Sequence, residues 1–97
     1  IYIGPSDLAL ALGLPPAGDT DEPLHVATVE RILGVCKRHG VPAGIHTSSL
    51  DYARRRLEAG FEFVTLGSDA GFMMQAAARD LAAARGTQER ARERTGY

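Results

Sequence analysis

The chain has 97 residues, 44% of them hydrophobic, with 11 basic and 12 acidic side chains, a formal net charge of −1 and a single cysteine. This balance excludes a broad polyanion-binding surface, which needs clustered excess cation, and one cysteine excludes an internal disulfide and a cysteine-rich zinc site. No apolar run approaches the roughly 18–20 residues that span a bilayer, and no secretory signal is visible. These facts point to one cytoplasmic domain at most, with neither a nucleic acid nor a membrane as partner.

Ile1-Tyr2-Ile3 reads as a strand that stops at Gly4-Pro5. A short helix over about residues 7–12 follows, rich in leucine and alanine, with Ser6 or Asp7 as its cap. Residues 13–23, with two glycines, three prolines and two aspartates, read as a long loop of the sort that often carries function. Helical spacing returns over 24–39, where Val26, Val29, Leu33 and Cys36 share a face widened by Ile32 and Val35, and Gly40 ends it. His25 and His39 fall on or beside its polar side and are expected to be solvated. Cys36 falls on the buried stripe and is expected to be an inert thiol.

Residues 41–46 form a second short strand, with Pro42 tolerated only near its start. Ser48 and Asp51 have the spacing of a capping box and open a third helix. Its expected buried stripe is Leu50, Ala53 and Leu57, with Arg54, Arg55 and Arg56 facing outward. Residues 61–66 are a third strand between Gly60 and Gly67. Ser68-Asp69 caps a last helix over about 70–85, with Met73, Met74, Ala77, Leu81 and Ala84 on its apolar face. Residues 1–86 thus form the structured part, and 87–97 read as a polar, frayed C-terminal tail.

Strands alternating with helices imply a parallel sheet with right-handed crossovers. Such a sheet must be covered on both faces or closed into a barrel. Three βα units fall short of the roughly 200 residues of a (β/α)8 barrel. With the methionine-free start, the expectation is a piece of something larger.

Ligands of parallel α/β folds meet the carboxyl ends of the strands. The three such ends here are Gly4-Pro5-Ser6-Asp7, His46-Thr47-Ser48 and Gly67-Ser68-Asp69, all small, polar or ionisable, whereas the opposite ends are plain. Asp7 could serve as an oxygen ligand for a hard divalent cation or simply cap a helix. The N–H groups of Gly4 and Ser6 could receive a carboxylate. His46 could be a site residue or a structural histidine, and Gly67-Ser68-Asp69 an anion-binding helix start or a cap. There is no glycine-rich phosphate loop and no histidine pair at metal-binding spacing.

Ile3-Gly4-Pro5-Ser6-Asp7-Leu8, Pro42-Ala43-Gly44-Ile45 and Ala59-Gly60-Phe61-Glu62-Phe63-Val64-Thr65-Leu66-Gly67-Ser68-Asp69 resemble, in order and spacing, the HpcH/HpaI aldolase (aldolase/citrate lyase) family over about residues 1–85. The resemblance implies the C-terminal portion, about strands 6–8 with their helices, of a TIM barrel of the phosphoenolpyruvate/pyruvate type. It implies a class II aldolase that cleaves or forms a C–C bond between pyruvate or another 2-oxo acid and an aldehyde. A 4-hydroxy-2-oxo acid or a 2-dehydro-3-deoxy sugar acid is the expected type of substrate. The implied cofactor is a divalent metal, Mg²⁺, Mn²⁺ or Co²⁺, with Asp7 matching one ligand. Gly4 and Ser6 match the carboxylate-holding positions, and His46 and Ser68 fall on the aldehyde side. His46 stands where the family often has an aliphatic residue, a hint of a more polar acceptor aldehyde.

The family's glutamate ligand, arginine and histidine belong upstream of Ile1, so no catalytic residue is expected in this segment and the 97 residues alone are expected to be inactive. A homo-oligomer is also implied, a hexamer or pairs exchanging helix 70–85. The alternatives are a citrate-lyase-like or acyl-CoA lyase relative and a non-catalytic βα module that works through a partner.

Overall fold

The computed structural model describes residues 1–95. The order is β1 (Tyr2–Ile3), α1 (Pro5–Ala11), α2 (Pro23–Arg38), β2 (Gly44–His46), α3 (Leu50–Ala59), β3 (Phe63–Thr65) and α4 (Asp69–Thr95). Two compact units result, Ile1–Gly67 and Ser68–Tyr97. The first carries a parallel sheet with strand order β1-β2-β3. Chain neighbours are thus sheet neighbours, as expected where each strand returns through a helix.

Register decides which face each side chain takes. Tyr2 pairs with Gly44 and Gly44 with Phe63, Ile3 with Ile45 and Ile45 with Val64, and His46 with Thr65. Side chains alternate along a strand, so Ile3, Ile45 and Val64 share one face and Tyr2, His46, Phe63 and Thr65 the other. The first face is packed by Val29, Leu33 and Cys36 of α2, with Ala43 and Phe61 at its margins. Val29 and Ile45 are fully buried, and side chains of this size each contribute about 1.5–3 kcal/mol when removed from water. The buried positions of α2 are His25, Val29, Leu33 and Cys36. Cys36 is buried as expected, whereas Val26 is half-buried and Val35 exposed.

Several local expectations are corrected. α1 starts at Pro5, two residues before the expected boundary, because proline at the first turn has a suitable fixed φ and no N–H to leave unpaired. Gly4 is its cap, without a side-chain cap bond, so neither Ser6 nor Asp7 caps it. In α3 the cap is Ser49, whose Oγ accepts from Tyr52 N, and Ser48 is displaced from that role. The buried residues of α3 are Tyr52, Ala53 and Arg56, while Leu50 and Leu57 are exposed. Arg56 lies inside because its guanidinium sits 4.4 Å above the Tyr52 ring centroid and donates from Nη2 to the Tyr52 hydroxyl at 2.9 Å. An aromatic face and a hydroxyl acceptor together allow a guanidinium to leave water.

α2 and α3 end alike. Val41 N donates to Cys36 O and Gly40 N to Lys37 O, and Phe61 N donates to Arg56 O and Gly60 N to Leu57 O. Both pairs are Schellman closures, and both glycines have positive φ, 64° and 109°. Lys37 Nζ donates to Ala59 O at 2.7 Å, which ties the two helix ends together.

The long loop after α1 is a strap. Asp19 Oδ1 accepts from Ser48 N at 2.9 Å and Oδ2 from Ser49 Oγ at 2.6 Å. Its carboxylate therefore sits at the start of α3, where unpaired N–H groups favour negative charge. Asp21 pairs with Arg55 at 2.8 Å, and this bond raises the guanidinium pKa above its ordinary value, although both side chains are exposed.

In the second unit, α4 runs to Thr95, beyond the expected end near residue 85. Its distal half is built from Ala, Arg, Glu and Gln, which favour helix without needing a buried stripe. The expected tail at Gly96 and Tyr97 lies outside the described residues. Among the described residues, no helix is long and apolar enough to cross a membrane.

The strap gives the first expectation for measurement. Asp19→Ala should lower the urea stability of the chain by about 1–2 kcal/mol, since it removes two bonds to an ionised acceptor. Asp21→Ala, which loses only an exposed ion pair, should have a much smaller effect. Equal effects of the two substitutions would contradict this reading of the loop.

Candidate functional site

Gly4 leaves β1 in an extended conformation, φ −90° and ψ 106°, and Pro5 turns the chain straight into α1. The first turn therefore sits at the carboxyl end of the strand, with Ser6 and Asp7 both exposed. The opening N–H groups of a helix lack intrahelical partners, and this turn has no side-chain cap. The Asp7 carboxylate folds back over Gly4, so that a β-carbon on Gly4 would lie 2.6 Å from Asp7 Oδ2. A larger residue at this position would push the Asp7 carboxylate out of its present place. Gly4 and Asp7, with Tyr2, Leu8 and Ile32, line an open depression along the free edge of β1.

His25, expected to be solvated, is fully buried. Its backbone N donates to the Glu22 cap at 2.8 Å, which fixes the first turn of α2, and its Nε2 donates to Pro5 O at 3.0 Å. A carbonyl can only accept, so Nε2 carries a proton, and Nδ1 has no partner among the described residues. The ring thereby clamps the Gly4-Pro5 turn from inside. His39 is exposed, as expected.

At the end of β2, His46 Nδ1 lies 2.9 Å from Thr65 Oγ1 and 3.2 Å from the Tyr2 hydroxyl, and the two hydroxyls are 3.3 Å apart. Thr65 stands directly across from His46, and Tyr2 stands two positions back on the same face. The tyrosine reaches that far because its ring passes over Gly44. A β-carbon there would lie 3.0 Å from Tyr2 Cδ2 and 2.9 Å from Phe63 O. Thr47 N donates to Thr65 Oγ1 at 3.3 Å, and the Thr47 hydroxyl donates to Thr65 O. Ser68 opens the second unit, where its Oγ accepts from Gly71 N at 3.1 Å, so it serves as the cap of α4.

The structure thus brings Gly4, Ser6 and Asp7 together in one turn and sets His46 in a polar cluster on the exposed sheet face. Among the described residues, no three His, Cys, Asp or Glu side chains converge as a metal-binding group. Tyr2 and Thr65 carry no local signal of a site, and His25 lies inside although its position suggests a solvated face. Aligning the strands as read from the sequence, 41–46 and 61–66, at their starts would set Thr65 opposite Ile45; only the observed register sets it opposite His46. Nothing local marks His25, since its partner is 20 residues away.

No family model matches the chain. The 5-keto-4-deoxy-D-glucarate aldolase of Citrobacter koseri is 43% identical over 76 residues, 78% of this chain and 29% of that enzyme. The enzyme of the same name from Salmonella newport is 45% identical over 71 residues, covering 73% of this chain and 27% of its own. The crystal structure of an HpcH/HpaI aldolase/citrate lyase family protein from Burkholderia cenocepacia J2315 matches with a TM-score of 0.80 at 32% identity, over 87% of this chain and 32% of that one. By sequence and by fold, the chain is similar to a part of these aldolases and of this HpcH/HpaI aldolase/citrate lyase family protein. It spans less than a third of the length of these relatives.

In this chain a buried histidine of α2 steadies the turn that presents Asp7. His25→Ala should destabilise the fold by about 2–4 kcal/mol, from the cavity and the lost bond together. Chemical denaturation measures this, and a loss below about 0.5 kcal/mol would show that the clamp is dispensable.

Proposed function

We propose that this segment forms the last three βα units, strands 6–8, of an aldolase barrel, and that the whole barrel cleaves or forms a C–C bond between a 2-oxo acid such as pyruvate and an aldehyde. The observation that carries the reading is the Asp7 carboxylate, exposed at the end of β1 and folded against a glycine that leaves it room. Its oxygen donors suit Mg²⁺, Mn²⁺ or Co²⁺. It faces the depression along the free β1 edge, where a preceding strand of a barrel would bring further ligands. One carboxylate makes an incomplete set, so this segment contributes one ligand of several. When bound, a divalent metal supplies Lewis-acid stabilisation of the negative charge that develops on the 2-oxo oxygen.

The chain's own groups bind and orient. The backbone N–H groups of Gly4 and Ser6 receive the substrate carboxylate, held in place by the Pro5–His25 clamp. His46, at the carboxyl end of β2, lines the aldehyde side. Proton transfer is assigned to no residue of this segment. The aldolase reading is preferred over an acyl-CoA lyase because the relatives named above are keto-deoxy sugar acid aldolases. A 2-oxo sugar acid is accordingly the proposed type of substrate. On α4, Phe72, Met73, Met74 and Leu81 are each more than half exposed. This supports a homo-oligomer in which that helix packs on a second copy.

In a protein carrying the whole barrel, Asp7→Asn should slow metal-dependent exchange of pyruvate methyl protons into D₂O by more than ~100-fold, since even outer partners of metal ligands are worth 10–100-fold. The circular dichroism spectrum should stay unchanged. The 97 residues alone should bind Mn²⁺ more weakly than micromolar by calorimetry. Retained exchange in the variant would overturn the assignment of Asp7.

A further inference from the structure

We propose that Tyr2 and Thr65 are positioning residues that turn His46 into a fixed Nε2–H donor, aimed at an oxygen substituent of the aldehyde. The proposal rests on the aldolase reading and adds to it both the agents and the acceptor chemistry. Every hydrogen bond that the His46 ring makes with the described residues runs through Nδ1. Both neighbours are hydroxyls, and each brings one proton. Thr65 Oγ1 accepts from Thr47 N and lies 2.9 Å from Nδ1, and in the proposed arrangement its own proton goes to Nδ1. The Tyr2 hydroxyl, 3.2 Å from Nδ1 and 3.3 Å from Thr65 Oγ1, donates into the same pair. A neutral imidazole whose Nδ1 accepts must carry its proton on Nε2.

Nε2 then remains as the one polar ring atom not engaged with the described residues. It sits at the carboxyl end of a parallel strand, where ligands of such folds are met. A donor fixed by two flanking hydroxyls rewards an oxygen acceptor, a hydroxyl or carboxylate. It penalises an apolar aldehyde, which would leave the N–H unpaired. The arrangement depends on the parallel register and on Gly44, which clears the path of the Tyr2 ring.

Long-range ¹H–¹⁵N correlation spectra of the full chain should show His46 Nδ1 as a hydrogen-bonded acceptor and Nε2 as the protonated nitrogen. Thr65→Val should move the Nδ1 resonance toward that of an unbonded imidazole, Tyr2→Phe should do so to a smaller extent, and Thr65→Ser should restore the original position. In the whole barrel, Thr65→Val should raise KM for a hydroxylated or carboxylated aldehyde about tenfold, the worth of one such bond, with kcat changed less than about twofold. KM for an unsubstituted aldehyde should be unaffected. Tyr2→Phe serves as the second variant, because it leaves the Thr65–Thr47 bonds in place. A proton on Nδ1, or an equal change in KM for both aldehydes, would overturn the proposal. Pyruvate proton exchange by the unsubstituted barrel reports separately on the aldolase reading, so that failure there is distinguishable from failure of the triad.

Discussion

The parallel register of three very short strands is the constraint on which the rest depends. Pairing Tyr2, Gly44 and Phe63 in one row sends Ile3, Ile45 and Val64 together to the face packed by α2. The same pairing sends Tyr2, His46 and Thr65 to the opposite face. A slip of one residue would exchange the two sets, exposing the core and burying the hydroxyls. Gly44 enforces the register, because a side chain there would collide with the Phe63 carbonyl and the Tyr2 ring. The core and the polar cluster are thus two consequences of one alignment.

The second organising element works from behind the sheet. His25, fully buried on α2, bonds to the carbonyl of Pro5 and so couples the main packing helix to the turn that carries Ser6 and Asp7. The Asp19 strap does the same for α3, closing its N-terminus with a carboxylate from the loop after α1. Each strand end with polar residues in the first unit is therefore held by a group distant in sequence. Such support is what a binding site needs if its groups are to be in place before the ligand arrives.

Much of this could be read from the residues. The order of strands and helices, the glycine stops at Gly40 and Gly60, the buried Cys36, and the Gly4–Asp7 turn at a strand end all follow from local chemistry. Where the structure departs from local pattern, a specific partner decides: His25 and Ser49 are placed by Pro5 and Asp19, distant in sequence, and Arg56 by Tyr52, one turn back on its own helix. Leu50 and Leu57, read as core, are exposed because Tyr52 and Arg56 fill the space against the rest of the unit. α4 outruns its apolar stripe because helix propensity alone suffices over its distal residues.

In the proposed function the strand ends of this segment are part of a metal-assisted 2-oxo acid site. The most direct measurement follows pyruvate and aldehyde release from a 4-hydroxy-2-oxo sugar acid by the protein carrying the whole barrel, before and after chelation. The account predicts equimolar release that stops on chelation and resumes when Mn²⁺ is added back. Release that continues undiminished in the metal-depleted protein, or no release with metal restored, would contradict it.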